Sequence, residues 1–160
     1  MTTYWRLDAH NDPLAAIRQF LGGLFERAGL DAVLVPARTS APPGIEARIV
    51  RERAGLGAAD PFFPVMPVNA VSLAVQFSRM HPDEHLGLVM RACEMRALVE
   101  VAGRGETDLG QYLLLGVDCL GTFPSKDVGW RGSAETLTRE TLQFARQGGV
   151  AVYRYRPACQ

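Results

Sequence analysis

The chain has 160 residues and is 48% hydrophobic, which suits one domain with a buried core, for which roughly 100–200 residues is usual. Its 17 basic and 17 acidic residues balance, excluding both the basic footprint of a nucleic-acid binder and the acidic excess of a disordered chain. No apolar run approaches the roughly 18 residues of a membrane span, and the polar stretch from Met1 to Asp12 carries no signal-peptide core, so a cytoplasmic chain without a membrane span is expected.

Asp12 followed by Pro13 starts a helix, because Asp accepts from the free amides of the first turn and Pro fits the first helical position. Leu14, Ile17, Leu21, Leu24, Phe25 and Ala28 recur at helical spacing before Gly29, predicting a helix over Pro13 to Ala28. The Val-rich run Ala32 to Pro36 predicts a buried strand. Ala41 to Pro67 reads as a long irregular covering or binding loop, with a short strand at Ala47 to Arg51. Asn69 caps a helix over Ala70 to Met80, which Pro82 ends. Further along, Leu86 to Arg91 and Tyr112 to Val117 read as strands, Glu94 to Ala102 and Ser133 to Gln147 as helices, and Val150 to Tyr155 as a last strand. Strands alternating with helices predict a single α/β domain with a mostly parallel sheet and flanking helices.

Three cysteines, Cys93, Cys119 and Cys159, are too few and too widely spaced for a disulfide framework, so reduced thiols are expected. Each follows the end of an expected strand. In an open parallel sheet the carboxyl ends of the strands share one edge, where ligands bind, so these assignments bring the thiols towards one site. If the last strand runs antiparallel, Cys159 falls on the far side. Cys93 also sits at the expected start of a helix with Arg91 and Arg96 nearby, a setting that favours a thiolate. The commonest role of a free cysteine is a small buried hydrophobe; metal or iron–sulfur ligation comes next and a nucleophilic thiol last. A redox pair of Cys93 with Cys119 is a further option.

The segments Arg91-Ala92-Cys93-Glu94-Met95-Arg96-Ala97-Leu98 and Leu115-Gly116-Val117-Asp118-Cys119-Leu120-Gly121-Thr122 resemble the coenzyme F-420 hydrogenase/dehydrogenase beta-subunit family. Pro64-Val65-Met66-Pro67-Val68-Asn69-Ala70 is similar to that family's Pro-rich approach to a helix, and the closing Pro157-Ala158-Cys159-Gln160 adds to the likeness, which runs from about Ala32 to the last residue. The resemblance implies an iron–sulfur flavoprotein that passes electrons between clusters, FAD and a deazaflavin or other acceptor, as one subunit of a hydrogenase or dehydrogenase. It implies Cys93, Cys119 and Cys159 as ligands of a 4Fe-4S cluster, and Asn69, Arg96 and Gly121 as cofactor-binding positions. Other redox subunits or a second copy of the chain are the implied partners. Ala92 stands where a Pro is common in the family. Family members also continue with further cysteines and most of the flavin-binding domain, so the resemblance implies only their N-terminal portion, as a fragment or a split subunit. A cubane cluster takes four thiolates, leaving a fourth ligand to be found. The alternative is a cofactor-free binding or assembly module.

Other candidate sites are weaker. His81 and His85 have the spacing of two helical metal ligands, but Pro82 breaks that helix and places both in an exposed turn; His10 reads as a solvated residue before the first helix. Glu94 and Asp118 flank the central cysteines and could act as acid, base or support, Glu94 more simply as a carboxylate in a first helical turn. Gly103, Gly105 and Gly110 form no dinucleotide fingerprint, and Gly55 and Gly57 lead into Pro-rich loop. Neither a nucleophile elbow nor a phosphate-binding lysine loop occurs, the only lysine being Lys126, so hydrolase and nucleoside-triphosphatase readings drop out. Trp130, before Arg131 and Gly132, could stack on a planar cofactor or simply anchor a loop. Arg38, Thr39 and Ser40 follow the first strand, where a phosphate could be contacted, against the commoner role of a polar loop.

Overall fold

A computed structural model describes residues 8–119, 121–128 and 133–148. Helix α1 covers Pro13–Arg27. Its first turn is satisfied as the Asp12–Pro13 pair dictates: an Asp12 carboxylate oxygen accepts from the Ala15 N–H at 2.9 Å, and Pro13 occupies a position whose N–H has no helical partner. Strands β1 (Ala32–Arg38) and β2 (Ile45–Val50) follow, then a 3-10 turn at Arg53–Ala58 and helix α2 at Val71–Met80. Strand β3 (Leu86–Arg91) runs directly into helix α3 (Ala92–Gly103). Strand β4 (Tyr112–Val117) and helix α4 (Ala134–Arg146) complete the described elements. Ser133 caps α4 by accepting from the Thr136 N–H at 3.2 Å, the geometry its hydroxyl favours.

The sheet order is β2-β1-β3-β4. β1, β3 and β4 are parallel, and β2 lies antiparallel on β1. The expected α/β fold with a mostly parallel sheet and flanking helices is therefore present. Several boundaries move, β1 running on to Arg38 rather than ending at the expected Pro36. The strand expected at Ala47 to Arg51 is Ile45–Val50 and pairs with β1 from Val33↔Val50 to Arg38↔Ile45. Its partner is a largely buried strand, which stabilises a segment whose own Glu46 and Arg48 make it polar on one side. The helix of the β3–β4 crossover, α3, starts at Ala92, two residues before the expected Glu94, because Glu94 reaches back to cap the Arg91 N–H at 3.1 Å and fixes the turn earlier. The expected last strand, Val150 to Tyr155, lies outside the described residues.

Every residue of β3 is buried, which is why it reads as an unbroken apolar run rather than an alternating one. One face of the sheet, with Ala32, Leu34, Leu86, Leu88 and Met90, packs against α2 and α3 through Ala74, Phe77 and Leu98. The opposite face, with Val33, Val35 and Val89, packs against α1 through Leu21. A third cluster of Ile45, Phe63, Val65, Phe123 and Leu137 seats α4 on the segment that follows β2. Fully burying side chains of this size stabilises the fold by about 1.5–3 kcal/mol each, so the three clusters hold the strand ends rigidly in place.

Candidate functional site

β3 and β4 pair in register to their last residues, Arg91 opposite Val117. Cys93 and Cys119 each come two residues later, so both thiols leave the carboxyl edge of the sheet from adjacent parallel strands. Both are free and exposed. α3 lies close against β4: a Cβ added at Gly116 would meet the Met95 Cε at 3.0 Å, so a side chain there would make the Met95 thioether shift. Gly121, two residues beyond Cys119, has φ +97°, a conformation that L side chains rarely adopt, and turns the chain after the thiol.

The Cys93 thiol is pushed up from its ordinary pKa. Its partial burial comes first, then the negative charge of Glu94 and that of Cys119. The Glu94 backbone N–H and the Arg91 guanidinium act the other way without reversing the shift. This corrects the expectation that the helix start and neighbouring arginines favour a thiolate. Arg91 is buried, with Nη2 donating to the carbonyls of Phe63 and Val65, and its charge serves the loop above the strand ends. The sign for reactivity follows: a raised pKa means less thiolate at a given pH, and the thiolate is the nucleophile. Alkylation of Cys93 by iodoacetamide should therefore reach half its plateau rate at a higher pH than for a thiol in an unstructured peptide. In Cys119→Ser the midpoint should fall towards the ordinary value; an unchanged midpoint, followed residue by residue by mass spectrometry, would show that the two thiols do not sense each other.

Glu94 is buried and bridges two helix starts, accepting from the Ala70 N–H at 3.0 Å and the Arg91 N–H at 3.1 Å. It serves as a carboxylate in a first helical turn and also ties α2 to the β3–α3 junction. Asn69, exposed, accepts from the Val71 N–H at 3.0 Å and so caps α2 as its sequence position predicts. Arg96 is exposed on α3 and Asp118 exposed beside Cys119. Cys159 and the Trp130, Arg131 and Gly132 segment lie outside the described residues. His81 ends α2, 3.1 Å from Glu84 and stacked on Phe77 at 4.6 Å between ring centroids. The His85 N–H donates to Asp31 at 2.8 Å.

Sequence reasoning passed over one junction. Asp60 is fully buried in the loop after β2, and one carboxylate oxygen accepts from Arg38 Nε at 2.8 Å and from the Thr138 hydroxyl at 2.6 Å. It joins the end of β1 to α4 across 78 residues of chain. No local motif marks such a residue, because its partners come together only in the fold.

No family model matches the chain, and no curated protein matches it. Among solved structures, a chain of the F420-reducing NiFe hydrogenase complex from Methanosarcina barkeri is similar at 17% identity with a TM-score of 0.57. The likeness covers 69% of this chain and 39% of that one. At that identity it shows a shared fold.

Proposed function

We propose that this chain is an electron-transfer component of a hydrogenase- or dehydrogenase-type oxidoreductase, with Cys93, Cys119 and Cys159 as ligands of a 4Fe-4S cluster beside a flavin. The reading takes FAD as that flavin and places Asn69, Arg96 and Gly121 towards it. It rests chiefly on one observation: Cys93 and Cys119 leave adjacent parallel strands at one edge, exposed and close enough that one raises the pKa of the other. The fold shared with a hydrogenase-complex chain adds to it. So does the sheet edge itself, which in open α/β sheets is where ligands bind.

Two free thiols on a rigid sheet edge suit half of a four-thiolate set. Among the described residues no group of three or more His, Cys, Asp or Glu could hold a metal ion. The rest of the set falls to Cys159 and to a ligand from another redox subunit or a second copy of this chain. A bound cluster would supply one-electron transfer; the chain supplies thiolates and their orientation. Ligation requires the Cys93 proton to leave, so the raised pKa makes loading easier as pH rises. No helix is long and apolar enough to cross a membrane among the described residues, and the proposed setting is the reducing cytoplasm, where thiols stay free.

The test is iron and acid-labile sulfide per chain, with an absorption spectrum, on anaerobically prepared protein. About four of each is the expected content of a cubane cluster, falling in Cys93→Ser and in Cys119→Ser. Iron and sulfide unchanged in both variants would remove the ligand assignment. None after reconstitution would overturn the reading in favour of a binding or assembly module.

A further inference from the structure

A cleft of about 490 Å³ opens beyond the carboxyl end of β1, between the first turn of α1 and one face of α4. Its walls carry Arg38, Arg139 and Arg146, together with Asp12, Glu135 and Gln143. We propose that this cleft binds a phosphorylated, hydroxyl-bearing small molecule of the sugar-phosphate class, its phosphate held by the three arginines.

All three arginines line the same cleft. Arg38 is the last residue of β1, and its Nε is fixed by the buried Asp60 at 2.8 Å, while 21% of the side chain stays exposed at the cleft wall. The guanidinium is thus oriented before any ligand arrives, which lowers the ordering cost of binding. Arg139 and Arg146 lie seven residues apart on α4 and therefore share a face. Neither has a hydrogen-bond or ion-pair partner among the described residues, so their N–H donors are open to a ligand. Glu135 stands four residues before Arg139, the favoured spacing for a helical ion pair, yet that pair is not closed. Three guanidiniums from two elements match the several acceptor oxygens of a phosphate better than the two of a carboxylate.

The rest of the cleft narrows the class. Its volume lies in the range of about 300–1,000 Å³ typical of small-molecule sites, more than a bare phosphate fills. Asp12 and Glu135 line the same cleft and can accept from hydroxyls, so a phosphate ester with a polyol body makes contacts there that inorganic phosphate cannot. The cleft stands independently of the redox reading, since a chain without any cluster would carry the same arginines.

Calorimetric titration with ribose 5-phosphate tests this on the full chain. Saturable binding is expected, weakening as salt is raised and by at least about tenfold in the double variant Arg139→Gln, Arg146→Gln, the size expected for losing charged hydrogen bonds. Both arginines are exposed on α4, so the thermal midpoint of that variant should match the parent and separate lost binding from lost fold. Arg104→Gln, on another face, should bind as the parent does. No saturable binding, equal binding in the double variant, or inorganic phosphate binding as tightly as the ester would each overturn the proposal.

Discussion

Replacing Asp60 by Ala should lower the stability of the chain by about 3–5 kcal/mol, the cost of removing one partner of a buried ion pair. The carboxylate is fully buried, and one of its oxygens takes both Arg38 Nε and the Thr138 hydroxyl. Its removal strands a guanidinium that is only 21% exposed and a hydroxyl that is completely buried. Each was desolvated on folding and depends on that oxygen for compensation. The effect should be smaller in Asp60→Ala combined with Arg38→Met, because replacing both members of a buried pair with apolar groups can be nearly neutral. A double-mutant cycle in urea reads the difference as a coupling energy. Additive single effects would show that Asp60 stabilises through the buried Thr138 hydroxyl, at 2.6 Å, rather than through the pair.

Glu94→Ala should be the second costly substitution. Two backbone N–H groups, those of Ala70 and Arg91, lose their acceptor at once, and each buried donor left unpaired costs about 1–3 kcal/mol. The damage should be directional as well as large. α2 keeps the Asn69 cap on Val71, whereas the described side-chain acceptor for the Arg91 N–H is lost, so the β3–α3 turn should loosen most. Hydrogen exchange should accordingly quicken at Arg91 before it quickens in the middle of α2. Glu94→Gln tests the role of charge: its amide oxygen can serve one N–H while its NH₂ faces the other, so roughly half of the loss should remain. A Gln variant as stable as the parent would show that neither the charge nor the second acceptor matters.

The two sites are linked through the fold as well as through stability. Asp60 orients the arginine at one end of the carboxyl edge, and Glu94 fixes the turn that carries Cys93 at the other. A loss at either junction therefore acts on a side chain that the proposals use, which is why the ligand and iron measurements carry exposed or isosteric variants rather than these.

Much of the architecture could be read before any coordinates. Asp12–Pro13 set the start of α1, Ser133 that of α4, and the apolar runs at Leu86 to Arg91 and Tyr112 to Val117 are strands at their expected limits. These signals are local: a cap, a fixed φ, or a run that only burial on both faces explains. The placement of Cys93 and Cys119 after two strands was equally legible, and parallel pairing turned that spacing into a shared edge. Tertiary structure alone decided three things. β2 became a strand paired with β1 from Val33 to Arg38 because a largely buried neighbour supplied the pairing. The Cys93 thiol moved up rather than down because burial and the charges of Glu94 and Cys119 outweighed the nearby arginine, a balance that depends on distances and solvent. The arginine cleft formed because chain segments about a hundred residues apart meet beyond β1, and no local pattern in a sequence encodes a contact whose energy depends on what the rest of the chain excludes from water.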